Sequence, residues 1–418
     1  MDFTIDKDAY ERLERVRALG KTHIRPLGIE ADKLGRPVPP DHEYFKLLLK
    51  AGLGRTRWVP PETIERSQAA QTASRGEPQR GDRRPTGEAR QVGQSRNGIH
   101  IAEEQAYWDR GVSTATPGPG MSEPAILSMG SEDQKRRFLG PFVNPEKPRW
   151  GAFAMTEPGA GSDVSAIRAS CVKDGAHWIL NGEKSFSGNA SRADWILVWA
   201  TTDPTLGRAG HRAFIVEKGT PGLGNFKIEK KMGIKGYEST SFTLQDARVP
   251  AENLLGGEGH YASRAGFKGA MKTFNATRPM IAAHAVGIGR AALDEALAFA
   301  REHDRLGDPR VRDRLERIAR KLRMARLLTL KAAWLADHEL PNMVEASMCK
   351  ALAPTVAYEA ASLGMELLGT FGARGDHLIE KLFRDVKAMD IVEGTGQIQR
   401  IVMARHLVNL PNDTPGVR

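Results

Sequence analysis

AMTEPGAGSD, residues 154–163, marks the point where the chain changes character. Pro158, Gly159 and Gly161 impose a tight loop poor in side chains, whose backbone N–H groups can approach a ligand closely. Thr156 and Ser162 add hydroxyls able to donate to carbonyl or ring-nitrogen acceptors. No Lys-Ser or Lys-Thr pair follows the glycines, so this is not a phosphate loop of the Walker type. The spacing is also wrong for a dinucleotide fingerprint opening a helix. Alone, such a string is more often a plain turn.

Upstream, Tyr10, Leu13, Val16 and Leu19 recur at helical spacing, and a second amphipathic run covers residues 44–53. Residues 55–98 are rich in Arg, Gln, Gly, Ser, Pro and Thr, with almost no aliphatic side chains after Ile64. Such a stretch cannot offset its ordering entropy, and disorder is expected there. Helical patterning resumes at 100–107 and 131–139. Downstream, short β-branched or aromatic runs at 178–180, 193–200 and 212–216 alternate with turns such as KDGA and EKGTPG, predicting an antiparallel β unit over 150–255. Long helical periods follow at 262–303, 311–338, 342–368, 377–389 and 397–410. The expected fold is mainly α with a β domain: 1–149 helical, 150–255 β, 256–418 helical.

The second informative string is FRDVKAMDIVEGTGQIQRIVMARHL, residues 383–407. Glu393 lies at the break between two helical periods, ahead of Gly394, Thr395 and Gly396, and Thr395 suits the N-cap of the helix beginning near Gln397. A carboxylate there can be a desolvated general base with a raised pKa, or a surface acid favoured by the helix N-terminus.

The bulk numbers describe a soluble chain of 418 residues, with 40% hydrophobic and 27% charged residues. Apolar runs fall short of the roughly 20 residues a membrane span needs, and the N-terminal segment reads as neither a secretory signal nor a transit peptide. Cys171 and Cys349 are far apart, which argues against a disulfide framework or a metal site and fits a reducing cytoplasm. The net charge of +10 suits a ligand with several phosphates, or merely a solvated basic surface. No pattern for nucleic-acid recognition accompanies it.

Six strings, AMTEPGAGSDVSAI, NGEKSFSGN, KKMGIKG, ARVPAENLLG, FNATRPMIAAHAVG and VEGTGQIQR, occur in the order and spacing of one family. Over residues 5–53 and about 100–410 the chain resembles the acyl-CoA dehydrogenases. The resemblance implies an N-terminal helical domain, a central β-barrel-like domain and a C-terminal four-helix bundle, with FAD between barrel and bundle. It further implies α,β-dehydrogenation of an acyl-CoA to a trans-2-enoyl-CoA, electrons leaving to electron-transferring flavoprotein, and a homotetramer built as a dimer of dimers.

Glu393 matches the family's catalytic base. The alternative location used by some members is Ala276, which cannot take a proton. Phe153, Met155, Thr156, Gly161, Ser162, Phe186, Ser187 and Gly188 match flavin contacts on the barrel side, with Thr395 and Gln397 beyond the base. Arg305 corresponds to a pyrophosphate partner, and Leu367, Leu368, Gly369 and Thr370 to a segment meeting the adenosine part of a neighbouring subunit's flavin. Ser162, Asn275, Arg278 and Gly394 match the substrate side.

Three departures stand out. Gly188 replaces a Thr whose hydroxyl or amide meets the flavin ring. His303-Asp304-Arg305-Leu306-Gly307 has lost the aromatic of the pyrophosphate signature. Residues 55–98 replace a family loop and helix, through either a reading-frame shift or a disordered insertion. An acyl-CoA oxidase using O₂ and a flavin-containing DNA-binding relative are the competing readings. Glu393 in place of Asp, and a chain that runs about 25 residues past it, argue against the nitroalkane-oxidase and DNA-binding branches respectively.

Overall fold

The computed structural model describes residues 1–63, 93–261 and 265–409, with side chains of the last span described from 277 onward. Helices α1 (Lys7–Leu19), α2 (Arg25–Leu34), α3 (Glu43–Lys50), α4 (Gln94–Thr114), α5 (Glu123–Met129) and α6 (Glu132–Leu139) precede the strands. These are β1 (Gly151–Ala154), β2 (Ser170–Asp174), β3 (His177–Gly188), β4 (Trp195–Thr201), β5 (His211–Glu217), β6 (Leu223–Ile228) and β7 (Ser239–Pro250). After them come α7 (Gly257–Tyr261), α8 (Ala265–Glu302), α9 (Pro309–Asp337), α10 (Met343–Leu368), α11 (Thr370–Ala373), α12 (Leu378–Ile391) and α13 (Gly396–Leu407).

The strands form one sheet in the order β1-β4-β2-β3-β7-β6, with β5 also on β4. Most pairs are antiparallel, but β1 runs parallel to β4 from Gly151↔Trp195 to Ala154↔Val198, and β2 touches β4 in parallel at Ser170↔Thr201. The expectation of a purely antiparallel unit is therefore corrected. The β2–β3 hairpin intervenes in sequence between β1 and β4, so β4 returns beside β1 in the same direction.

Every residue of β4 is buried, because the sheet is covered on both faces. Ile196, Val198 and Ala200 pack with Ile24, Leu27 and Phe45 of the first helices. Their alternates Trp195, Leu197 and Trp199 pack with Ile126, Phe138 and Phe142 on the other side. Strand side chains alternate faces, so one continuous apolar run supplies two cores.

The long helices α8, α9, α10 and α12 enclose a third core rich in alanine, from Ala282, Ala285 and Ala292 to Ala353, Ala357 and Ala361. Small side chains let the backbones approach. At Gly287 any Cβ would run into Glu103 and Tyr107 of α4, so α4 docks directly on the bundle.

The expectation of disorder over 55–98 is corrected at both ends. Trp58 is buried against α5 and α6, and Arg57 pairs with Glu123 at 2.8 Å. Helix α4 starts at Gln94, its first turn capped by the Asp337 carboxylate, which accepts from Ser95 N at 2.7 Å and Arg96 N at 3.2 Å. The remainder of that expectation lies outside the described residues.

Candidate active site

The loop at 154–163 is anchored from beneath. Lys184 of β3, with no exposed surface, donates to Glu157 Oε1 at 2.7 Å and to the Met155 carbonyl at 3.2 Å. Glu157 also accepts from the Arg168 and Ala169 amides at 2.6 and 3.0 Å. Burial lowers the Lys184 pKa and the Glu157 charge opposes that shift. A buried pair with its remaining lone pairs filled by amides avoids the penalty of an isolated interior charge.

Met155 is buried and Phe153 is half-buried in the same core, while Gly161 and Ser162 are exposed. A Cβ at Gly159 or Gly161 would meet nothing within 4 Å, so the loop faces open space. The Thr156 carbonyl accepts from the Ser185 amide at 2.9 Å, tying the loop to the end of β3. There Phe186 takes a left-handed φ of 55° and presents a ring that is 64% exposed. Ser187 is buried, its hydroxyl unpartnered among the described residues. An open loop, an exposed aromatic and an orphaned hydroxyl together fit a flat, heteroatom-rich ring such as the isoalloxazine of a flavin.

Glu393 occupies the joint between α12 and α13 with φ 57°, and Gly394 follows at φ 92°. Two consecutive left-handed residues turn the chain so that Thr395 can cap α13, its hydroxyl accepting from Ile398 N at 3.4 Å. The Gln399 amide donates to the Gly394 carbonyl at 3.1 Å. The turn points the Glu393 carboxylate inward: Oε2 is buried and has no partner among the described residues. Burial raises its pKa, opposed by a hydrogen bond from Thr277 and by the charges of Arg110, Lys350 and Arg278.

These cations come from three helices. Arg110 lies on α4, Arg278 on α8 and Lys350 on α10. Burial lowers the pKa of each, that of Lys350 to about 8, and Glu393 is among the groups that resist the shift. Lys350 donates to the Asp390 carbonyl at 3.4 Å. His284, also buried here, is held neutral by desolvation and by Arg110. A carboxylate with raised proton affinity, kept ionised by fixed cations, is suited to remove a weakly acidic proton.

Arg110 follows a break in its helix, and its guanidinium donates to the Thr114 hydroxyl. Asp109 breaks the α4 backbone, with φ −166° and ψ 119°, and its carboxylate binds Lys381 of α12, which also holds Asp385. Asp385 in turn accepts from the Ile234 amide.

The remaining residues singled out from sequence fall in two other places. Gln397 is exposed on the first turn of α13. Arg305, exposed, sits in a 3-10 turn beyond α8, roughly 35 Å of helix away from Arg278. That turn neighbours the end of α10: the Phe371 ring lies 6.0 Å from Phe299 and stacks 6.1 Å from His303. Leu367 and Leu368 are in the bundle core, while Gly369 (φ 53°) and Thr370 are exposed. Arg305 and 367–370 therefore share a distal patch, apart from Glu393 within one chain. The Asn275 and Ala276 side chains lie outside the described residues.

Arg110, Lys350, His284 and the Lys184–Glu157 pair escaped the sequence reading. Lys350 alone carried a signal, as a single charge inside the apolar stretch ASMCKALAP.

Comparison with known proteins follows the same division. Residues 152–247 match the family described as acyl-CoA dehydrogenase, middle domain, and 264–408 match acyl-CoA dehydrogenase, C-terminal domain. The short-chain specific acyl-CoA dehydrogenase of Clostridium acetobutylicum is 37% identical over 67% of this chain and 73% of its own length. The butyryl-CoA dehydrogenase of Megasphaera elsdenii superposes with a TM-score of 0.82 at 31% identity, over 98% of this chain and 100% of its own. A chain from the structure described as electron transferring flavoprotein of Acidaminococcus fermentans superposes with a TM-score of 0.80, also at 31% identity, over 98% and 100%.

Proposed function

The chain belongs to the acyl-CoA dehydrogenase family, and on that premise we propose that it removes the α-proton of an acyl-CoA thioester with Glu393 and yields a trans-2-enoyl-CoA. The observation that carries this reading is the buried Glu393 carboxylate, its Oε2 unpaired and three cationic side chains around it.

FAD, when bound, supplies the acceptor for the hydride that leaves Cβ. The chain's own residues do the rest. Phe153, Met155, Thr156, Gly161 and Ser162 form one wall for the cofactor, Phe186–Gly188 another, with Thr395 and Gln397 beyond the base. Arg305 and 367–370 would serve the pyrophosphate and adenosine of a neighbouring copy, which supports a homo-oligomer. Asn275, Arg278, Ser162 and Gly394 are the substrate-side residues. The Glu393 amide, freed by the left-handed turn, is available to the thioester carbonyl, where negative charge grows as the proton leaves.

The division into 1–149, 150–255 and 256–418 then assigns the open loop to the middle unit and the base to the last. Electron-transferring flavoprotein is the acceptor we favour, supported by the likeness to the Acidaminococcus fermentans chain. A short acyl chain is favoured by the short-chain and butyryl relatives. Both cysteines are buried thiols, consistent with a reducing cytoplasm. No helix among the described residues is long and apolar enough to cross a membrane.

The test is anaerobic titration of the purified holoprotein with acyl-CoAs of increasing chain length, following flavin absorbance. Bleaching that Glu393→Gln abolishes supports the reading. Bleaching left intact in that variant refutes it.

A further inference from the structure

Gly188 ends β3 opposite Ser239, the first residue of β7. It lacks the hydroxyl-bearing side chain that the family resemblance leads one to expect. The space is not empty. A Cβ on Gly188 would coincide with the hydroxyl oxygen of Tyr237, and would also lie 2.9 Å from its Cε2. The phenol therefore fills the volume into which a side chain at 188 would grow, bringing an O–H to the same strand edge from the adjoining loop.

Three further observations define what this hydroxyl can reach. Phe186, two residues earlier on the same strand, leaves its ring largely exposed. Arg110 and Glu393 both act electrostatically on the phenol, so its surroundings overlap those of the base. The ring is braced from behind: Lys231 Nζ stands 4.4 Å from its centroid, donates to the Tyr237 carbonyl and reaches Ser239 Oγ at 3.1 Å. A phenol so held offers its O–H in the plane of its ring, a narrower choice of direction than a freely rotating aliphatic hydroxyl. Burial pushes its pKa up to about 12, so it stays a protonated donor at neutral pH.

We propose that Tyr237 is a cofactor-contact residue, its hydroxyl donating a hydrogen bond to the flavin ring at the Phe186–Gly188 edge in place of the side chain that Gly188 lacks. This rests on the flavin-binding reading of the preceding section. Gly188 and Tyr237 are then one unit, since neither residue can change alone without either a clash or a lost donor.

The experiment uses the purified holoprotein, Tyr237→Phe, and the double variant Gly188→Thr/Tyr237→Ser. The readouts are the FAD dissociation constant, the visible flavin spectrum and the unfolding temperature of the flavin-free protein. Phenylalanine keeps the ring and its packing, so Tyr237→Phe should leave that unfolding temperature unchanged. The FAD dissociation constant should rise about five- to tenfold, the loss of one hydrogen bond, and the visible bands should shift. The double variant, which moves a hydroxyl back onto the strand, should recover both. Wild-type affinity and spectrum in Tyr237→Phe would overturn the contact while leaving flavin binding intact. A wild-type chain that takes up no flavin would overturn the underlying reading, and the contact with it.

Discussion

Two glutamates of this molecule, Glu157 and Glu393, are opposites. Glu157, beneath the open loop, is saturated: an ammonium and two backbone amides fill its oxygens. Glu393, at the joint of α12 and α13, keeps one buried oxygen unpaired and is surrounded by charges from three other helices. A satisfied carboxylate holds a backbone in place. An unsatisfied one has affinity to spare for a proton. On the proposed reading the molecule separates rigidity from reactivity, the first under the sheet and the second at the bundle.

The contrast can be broken at its reactive end. Glu393→Gln should lower kcat by about 10²–10⁴, the range of a positioned general base, with little change in bound flavin. In the unmodified enzyme kcat/KM should fall as pH drops through the Glu393 pKa. Because burial raises that pKa, the falling limb belongs above the ordinary carboxylate range.

Breaking the rigid end should act on folding instead. Lys184→Met leaves the Glu157 charge buried beside apolar groups and should cost about 3–5 kcal/mol in denaturant unfolding. Adding Glu157→Leu should recover much of that loss, whereas a second substitution cannot rescue Glu393→Gln.

A smaller effect sharpens the difference through His211, on β5 near Lys184. Burial, with Lys184 and Arg208 nearby, lowers its pKa to about 4. The unfolded chain then binds the proton more readily than the folded one. Stability should therefore be full above about pH 6.5 and decline as pH falls toward 4, by up to about 3 kcal/mol. His211→Asn should flatten that part of the acid-unfolding profile.

The smallest expected change is at Gly394. At φ 92°, with Gln399 Nε2 2.7 Å from any Cβ, Gly394→Ala should cost about 1–2 kcal/mol and rotate the carboxylate before it. A kcat loss larger than the stability loss would show that the turn aims Glu393 rather than merely closing a helix.

Much of this fold was legible because its signals are periodic. The five long helical periods of the C-terminal part correspond to α8, α9, α10, α12 and α13, and the β-branched runs at 193–200 and 212–216 to β4 and β5. The parallel β1–β4 pair was not legible, since strand direction depends on how a hairpin folds back and leaves no local mark. Nor was the start of α4: its cap is Asp337, more than two hundred residues away. At the site, Glu393 stood out because glycines and a capping Thr follow it. Arg110 did not, because a cation on a helix acquires meaning only from the helices packed around it, and Lys350 was marked only by the apolar stretch that holds it.

The break at Asp109 has a mechanical consequence. A continuous helix transmits every rotation along its length, so a change of register near its start would swing Arg110 out of line. The extended residue just before Arg110 interrupts that transmission. With Asp109 clamped to Lys381, the backbone from which Arg110 projects is referenced to α12 as well as to α4.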